Sequence, residues 1–284
     1  MTTQPHYTIE EHVPLAPLTS WRIGGTARYL ATVRSPAGLA AVVAFADTQR
    51  LPVWILGGGS NILVADDGLP GVVIRMRDVS IDITENADTA AVTIGAGAPM
   101  AGTVRRLVHA GWAGISWAEG LPGTFGGAVY GNAGCYGGAM ADTVQSVQLW
   151  VDGTVLSVSP ATLGFRYRTS RLKHDAEPQQ ASGMHVGDLA PVVVAAVLSL
   201  QSADPAVLAA QVTETAALRR SKTPQGSSCG SVFKNPPNDA AGRLIEAAGL
   251  KGYAVGAAQV AEKHANYIIN HGGATSADVC ALVA

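Results

Sequence analysis

The sequence contains little that would direct the protein into a membrane or an oxidising compartment. Its three cysteines, Cys135, Cys229 and Cys280, form no Cys-x-x-Cys pair. No stretch approaches the ~18 consecutive apolar residues of a membrane span, and the N-terminal residues lack the basic-then-apolar order of a secretory signal. We therefore expect a cytoplasmic protein without membrane association, whose cysteines are small buried hydrophobic residues.

Charge is also scarce. Charged residues make up 14% of the chain, against 48% hydrophobic residues, and the formal net charge is −2. This charge balance does not predict the strongly basic surface that binds nucleic acid, so any phosphate-bearing ligand must be held by local groups. The seven histidines form no ligand-like pair, and we predict no metal site; His264 is the strongest functional candidate among them.

Hydrophobic periodicity predicts three regions. The first 20 residues are predicted to be an irregular arm, followed by an α/β unit whose helix has Ser35 as its N-cap and which ends near residue 80. Residues 81–205 contain hairpins, one of which turns at Asp152-Gly153 with a type I′ signal. A helix from about Pro205 opens the third region. The predicted domains are therefore 1–80, 81–205 and 206–284.

Two glycine-rich segments are candidate ligand sites. LGGGSN, at 56–61, follows an apolar strand and exposes successive backbone N–H groups, which suit a phosphate or pyrophosphate; an ordinary tight turn is the alternative. GLPGTFGGAVYGNAG, at 120–134, removes many Cβ atoms along one stretch. This segment can lie against a flat ring such as isoalloxazine or adenine, and the alternative is a compact loop packed on itself.

Ser231 lies in the segment RRSKTPQGSSCGSVFKNP, which also contains Lys222, Lys234 and Asn235. No Gly-x-Ser-x-Gly elbow surrounds this serine, which disfavours an acyl-enzyme nucleophile.

A second polar segment, FRYRTSRLK, contains a cluster of arginines. If it is a strand, Arg166 and Arg168 share one face. Arginines arranged in this way can bind carboxylate or phosphate bidentately. The alternative is a solvated basic strand.

Six motifs occur in a characteristic order: WRIGG, ILGGGSNIL, GLPGTFGGAVYGNAG, YRTSRLK, GSVFKNP, and AGLKG with EKHANYIIN. From about Ser20 to the last residue the chain resembles the UDP-N-acetylenolpyruvoylglucosamine reductase (MurB) family. The resemblance implies a mixed α+β and α/β fold, with a two-part FAD-binding domain of the vanillyl-alcohol-oxidase type followed by a smaller α+β substrate domain. The family's extra Tyr-bearing loop has no room here, so the chain resembles the second subtype.

The resemblance also implies roles for individual residues. Ser231 would donate a proton and Arg168 would polarise the substrate carboxylate. The residues implied to cradle the FAD pyrophosphate are Gly57, Gly58, Gly59, Ser60 and Asn61. Those implied to line the flavin and adenosine are Gly120, Pro122, Gly123, Thr124, Gly126, Gly127, Asn132, Ala133 and Gly134, with Arg22 at the start of the cofactor domain. Those implied to contact the sugar nucleotide are Lys222, Lys234, Asn235 and Tyr167.

The implied activity is NADPH-dependent reduction of the enolpyruvyl ether of UDP-N-acetylglucosamine-enolpyruvate to UDP-N-acetylmuramate in peptidoglycan synthesis. FAD and NADPH are the implied cofactors, and we expect a monomer. Family members continue past this point with a strand that carries a catalytic Glu, for which Glu246 and Glu262 are not matches. We therefore expect a fragment; the alternative is a flavin- and nucleotide-binding protein with little or no turnover. GSVFKNP and YRTSRLK disfavour an alcohol oxidase on the same fold.

Overall fold

The computed structural model describes residues 6–176 and 182–284. The chain divides into two compact units, each built from several separate stretches. Unit 1 comprises the residues up to 10, 29–57 and 70–216, and unit 2 comprises 11–28, 58–69 and 217–284. The domain boundaries near 80 and 205 stay a prediction.

The described residues form fifteen strands and eight α-helices. The strands are β1 (Tyr7–Pro14), β2 (Thr26–Val33), β3 (Val53–Leu56), β4 (Leu69–Met76), β5 (Ile81–Asn86), β6 (Thr89–Gly95), β7 (Trp112–Ala113), β8 (Gly134–Cys135), β9 (Gly138–Ala139), β10 (Val144–Val151), β11 (Thr154–Val158), β12 (Val192–Ser202), β13 (Ala254–Val255), β14 (Ala258–Val260) and β15 (Ile268–Asn270). The helices are α1 (Pro36–Thr48), α2 (Met100–His109), α3 (Phe125–Tyr130), α4 (Pro160–Leu163), α5 (Arg171–Ala176), α6 (Pro205–Lys222), α7 (Ala241–Ala247) and α8 (Ser276–Val283).

The strands form four sheets. One has the order β1-β2-β4-β3, and its β3 and β4 are parallel. Unit 1 contains a six-stranded sheet of order β11-β10-β12-β6-β5, in which β7 also pairs with β12. Unit 2 contains the small antiparallel sheet β13-β14-β15. A short β8-β9 ribbon completes the set.

Local sequence signals are confirmed at several turns and helix ends. Asp152 and Gly153 both have positive φ, 46° and 85°, as a type I′ turn requires, and they connect β10 to β11. Ser35 caps α1, since its side chain accepts a hydrogen bond from the Gly38 N–H at 3.1 Å. The helix predicted from Pro205 is α6.

The prediction of an irregular N-terminal arm is wrong, because residues 7–14 form strand β1. The strand lies at the edge of its sheet, and Pro14 is its last residue. Edge strands and strand ends tolerate proline because no ladder hydrogen bond is required of it there. Pro14 therefore ends this strand and does not exclude it.

Each unit has its own hydrophobic core. The core of unit 1 joins α1 and α2 with the inner faces of the strands around them. The core of unit 2 is smaller and includes Trp21, Ile23, Ile268 and Val279. The Trp21 indole donates to the Ile268 carbonyl at 2.8 Å, and the Asn270 side chain donates to the Trp21 carbonyl at 2.9 Å. Buried hydrogen bonds of this kind fix the segment that leads into Arg22.

Among residues 6–176 and 182–284, no helix combines the length and apolar character that crossing a membrane requires.

Candidate functional site

Small groups converge in unit 1 where β3 ends. A Cβ added to Gly57 would lie 3.0 Å from the Thr124 hydroxyl and 3.7 Å from the Gly127 Cα. Thr124 is buried and immediately precedes α3, yet its side chain makes no capping hydrogen bond to that helix. Two glycines and one hydroxyl therefore face each other without intervening side chains, an arrangement that fits the close approach of a phosphate group.

The rest of this glycine loop belongs to unit 2. Gly59 has φ +65°, and a Cβ there would lie 2.0 Å from the Leu18 carbonyl oxygen, so no other residue fits. The Gly59 carbonyl accepts from the Ser20 N–H at 2.9 Å. The Ser20 hydroxyl is buried and has no partner within the described ranges. Ser60 is half-buried, while Gly58 and Asn61 are exposed.

The segment 120–134 is built around α3. Gly120, Pro122 and Gly123 lie before the helix, and Asn132, Ala133 and Gly134 lie after it. The Phe125 N–H donates to the Ala98 carbonyl at 2.8 Å, and the Gly126 N–H donates to the Ala96 carbonyl at 2.9 Å. A Cβ at Gly126 would come within 2.7 Å of the Ala96 Cβ. Glycine at 126 thus allows the helix to pack directly against the end of β6.

Asn132 is 7% exposed and has φ 43°. Its Nδ2 donates to the Arg166 carbonyl at 2.9 Å, and its Oδ1 accepts from the Ala141 N–H at 3.0 Å. Both ends of the amide therefore bind backbone of other segments of unit 1. A role of Asn132 toward the flavin stays a prediction.

Arg168 lies in a tight turn. Arg166 and Thr169 exchange backbone hydrogen bonds of 3.1 and 3.2 Å, and Arg168 has φ 57°. The expectation that Arg166 and Arg168 share one face of a strand is therefore wrong, because the chain reverses between Arg166 and Thr169, with Arg168 itself in the left-handed conformation. The buried Ser170 hydroxyl donates to the Tyr130 carbonyl at 2.6 Å and anchors the turn to the end of α3.

The side chains of this turn differ in exposure. Arg168 is half-buried, and Tyr167 is 61% exposed.

Ser231 is an exposed residue of unit 2 whose backbone forms an antiparallel bridge with Tyr267. The next two residues bind Asn266: the Val232 N–H donates to its carbonyl at 2.9 Å, and Phe233 pairs with its side-chain amide. Asn266 was not among the predicted site residues. A polar residue within the otherwise apolar run 265–269 is the signal that could have found it.

Three of the other predicted substrate contacts, Lys222, Lys234 and Asn235, lie close to Ser231 in the sequence. Lys222 is the last residue of α6, and both Lys222 and Lys234 are exposed. The Asn235 Oδ1 accepts from the Ala241 N–H at 3.0 Å and thereby caps α7, whose preceding residue provides no cap of its own.

Burial perturbs two titratable groups near Ser231. Desolvation raises the pKa of the Cys229 thiol to about 11. Burial also lowers the pKa of His264, whose ring contacts the tilted Tyr267 ring at a centroid distance of 4.9 Å. The His264 Nδ1 accepts from the Asn266 N–H at 3.2 Å, which requires that nitrogen to be unprotonated.

Arg22 is exposed, with φ 58°. Its Nη1 donates to the Pro17 carbonyl at 2.9 Å. It lines an open cleft of about 610 Å³ within unit 2, together with Gln225, Gly226, Ser227 and residues 269–273.

Two domain families match the chain. Residues 27–159 match an FAD-binding domain, and residues 222–284 match the C-terminal domain of UDP-N-acetylenolpyruvoylglucosamine reductase. The glycine loop and segment 120–134 lie inside the first match, while Ser231, Lys234 and Asn235 lie inside the second.

Known proteins resemble the chain over nearly its whole length. It is 49% identical over 277 residues to the UDP-N-acetylenolpyruvoylglucosamine reductase of Chloroflexus aurantiacus, covering 97% of this chain and 90% of that protein. The corresponding protein of Chloroflexus aggregans is 48% identical with the same coverage. The crystal structure of the Thermus caldophilus reductase, MurB, superimposes with a TM-score of 0.79 at 33% identity, covering 98% of this chain and 93% of that one.

These matches confirm the predicted fold class and the prediction of an FAD-dependent oxidoreductase. The chain belongs to the UDP-N-acetylenolpyruvoylglucosamine reductase family.

Proposed function

We propose that the protein reduces the enolpyruvyl ether of UDP-N-acetylglucosamine-enolpyruvate with NADPH, yielding UDP-N-acetylmuramate for peptidoglycan synthesis. The observation that carries the proposal is the 49% identity to a UDP-N-acetylenolpyruvoylglucosamine reductase over 97% of the chain. The proposed setting is the cytoplasm, where the protein would act as a monomer on a sugar nucleotide.

FAD fits the residues around the two glycine segments. In the proposal its diphosphate is held by Gly57–Asn61, where a bulkier residue at Gly59 would clash with the Leu18 carbonyl. Its rings are lined by the glycines of segment 120–134, with Thr124 providing a buried hydroxyl. When bound, FAD supplies hydride transfer, a reaction that protein side chains cannot perform.

Arg168 has the chemistry to stabilise the reacting substrate. An enol ether is a poor hydride acceptor, because the electrons of its double bond need a place to go. When hydride adds to the terminal carbon, those electrons move to the carbon beside the carboxylate and are delocalised into it as an enediolate. A guanidinium bound to that carboxylate stabilises the developing charge. We assign this role to Arg168.

Ser231 is the proposed proton donor. The enediolate is quenched when the carbon beside the carboxylate takes a proton, and the serine hydroxyl donates it before recovering a proton from solvent. An alcohol is a weak acid, but it suffices toward such a basic carbon when it is held close. Lys222, Lys234, Asn235 and Tyr167 are proposed to bind the sugar nucleotide.

Replacement of Ser231 separates the two half-reactions. In rapid-mixing measurements, Ser231→Ala should retain flavin reduction by NADPH, because that step uses no proton from the serine. Its reoxidation by the sugar nucleotide should fall by about 10²- to 10⁴-fold, the usual contribution of a general acid. The control is Ser221→Ala, since the Ser221 hydroxyl donates to the Leu218 carbonyl of its own helix.

Two outcomes count against the proposal. Reoxidation of Ser231→Ala at the native rate would remove the serine from its role. If the sugar nucleotide does not stimulate NADPH oxidation by the native protein, the reaction itself is wrong.

A further inference from the structure

Asn266 makes an unusual pair of hydrogen bonds. Its side chain is buried, 3% exposed. Nδ2 donates to the Phe233 carbonyl at 2.8 Å, and Oδ1 accepts from the Phe233 N–H at 2.8 Å. The amide thus binds both backbone groups of one residue, as a neighbouring strand would. Rotating the amide by 180° would place donor against donor and acceptor against acceptor, so its orientation is fixed by its partners.

The backbone of the same segment extends this pairing. The Asn266 carbonyl accepts from the Val232 N–H at 2.9 Å, and Tyr267 forms the bridge to Ser231. Three consecutive residues, 231–233, are therefore held by two residues, 266 and 267. Ser231 itself is exposed at the end of this clamp. Its position is thus set by the clamped backbone that follows it.

We propose that Asn266 is a positioning residue for proton transfer, acting through the backbone of Val232 and Phe233 on Ser231. The inference rests on the proposed role of Ser231 as donor. Transfer from a weak acid to carbon depends steeply on distance and angle, and a displacement of about 1 Å can cost about 10²-fold in rate. A buried amide with both partners satisfied holds the donor segment in one place.

The first test is Asn266→Asp, which preserves the shape of the side chain. The carboxylate oxygen that replaces Nδ2 faces the Phe233 carbonyl and repels it. Flavin reduction by NADPH should stay at the native rate, while reoxidation by the sugar nucleotide should slow by about 10- to 100-fold. The control is Asn238→Asp, an exposed asparagine of the same unit, which should retain both rates.

The double variant tests whether Asn266 acts through the serine. In a Ser231→Ala background, Asn266→Asp should cause no further loss of reoxidation, because residues acting as one unit are not additive. A merely structural role would slow both half-reactions, or would slow reoxidation equally in both backgrounds. Should circular dichroism show that Asn266→Asp is unfolded, Asn266→Ser replaces it with the same expectations.

The outcomes distinguish the two proposals. Reoxidation of Asn266→Asp at the native rate, while Ser231→Ala is blocked, would overturn the positioning role and leave the proposed function intact. Native reoxidation of Ser231→Ala would overturn the assigned donor, and the role of Asn266 with it. Multiplicative losses in the double variant would also overturn the positioning role.

Discussion

The Arg168 turn and the Ser231 segment are held in similar ways by different units. In each, a buried asparagine from a distant part of the chain binds backbone next to the proposed catalytic residue: Asn132 near Arg168, and Asn266 near Ser231. The two asparagines divide their hydrogen bonds differently. Asn132 binds two separate segments, whereas Asn266 places both of its side-chain bonds on Phe233.

Because of this difference, we expect one asparagine to contribute mainly to the stability of its unit and the other mainly to the position of a catalytic residue. An amide that links separate segments stabilises its whole unit, so its removal should lower the free energy of unfolding. An amide that binds a single residue holds only that residue in place, so its removal should mainly displace the neighbouring catalytic side chain. We therefore expect replacement of Asn132 to appear mainly in unfolding, and replacement of Asn266 mainly in the rate of one half-reaction.

After that of Ser231, the largest effect is expected at Arg168, the catalytic member of the first pair. Arg168→Met should reduce flavin reoxidation by the sugar nucleotide by about 10²- to 10³-fold, the usual cost of removing one group that stabilises developing negative charge. NADPH should reduce the flavin at the native rate. Stopped-flow absorbance resolves the two steps.

Its control is Arg166→Met, in the same turn. Asn132 binds the Arg166 carbonyl, and the exposed Arg166 side chain has no proposed role, so both half-reactions should be retained. If Arg166→Met and Arg168→Met slow flavin reoxidation equally, the effect comes from the net charge of the turn and not from Arg168 itself.

The second effect concerns stability and compares two asparagines in left-handed conformation. Asn132 has φ 43° and is buried, whereas Asn238 has φ 62° and is exposed. Asn238→Ala should lower the free energy of unfolding by about 1 kcal/mol, the cost of keeping positive φ at a residue that lacks a short polar side chain. Asn132→Ala should lose a further 1–3 kcal/mol, roughly the cost of leaving buried backbone groups unpaired.

Urea titration followed by tryptophan fluorescence measures both free energies. Equal losses for Asn132→Ala and Asn238→Ala would show that Asn132 contributes only its backbone conformation and does not link the segments of unit 1.

The smallest effect is a pH dependence at the Asn266 clamp. Burial lowers the pKa of His264 in the folded state, so between that value and the ordinary value of about 6.5 the unfolded chain binds more protons. Stability should therefore fall as the pH drops from about 6.5 through the folded-state pKa, and then level off. The neutral substitution His264→Phe should remove this part of the dependence.

Unfolding midpoints measured from pH 7.5 to 5 give the check, with the exposed His174→Phe as the control. An unchanged profile in His264→Phe would contradict the assignment of the pH dependence to this residue.

Signals confined to a few neighbouring residues predicted the fold well. The Asp152-Gly153 turn and the Ser35 cap depend on residues within three positions of each other, and both are confirmed. The β1 strand was missed because a proline such as Pro14 indicates a loop when the sheet edge is not known. Local chemistry decides turns and caps, whereas strand pairing depends on partners elsewhere in the chain.

In the candidate site, too, features that depend on neighbouring residues were predicted, and features that depend on distant residues were not. Glycine content predicted the Gly57–Asn61 loop, since a position such as Gly59 accepts no other residue. The geometry around Arg168 was mispredicted because alternating polar residues do not distinguish a strand from a turn. The contacts that decide it, from Asn132 and from Ser170 to Tyr130, join positions 34 and 40 residues apart. Likewise, Asn266 binds Phe233 across 33 residues.

The half-buried thiol of Cys229 has a chemical consequence for its surroundings. With a pKa of about 11, only about one molecule in ten thousand carries the thiolate at neutral pH, and the thiolate is the form that attacks electrophiles and peroxides. A sulfur two residues before Ser231 is thereby held mostly in its protonated, less reactive form. Mixed disulfides and sulfenic acid should therefore form slowly at that position at neutral pH.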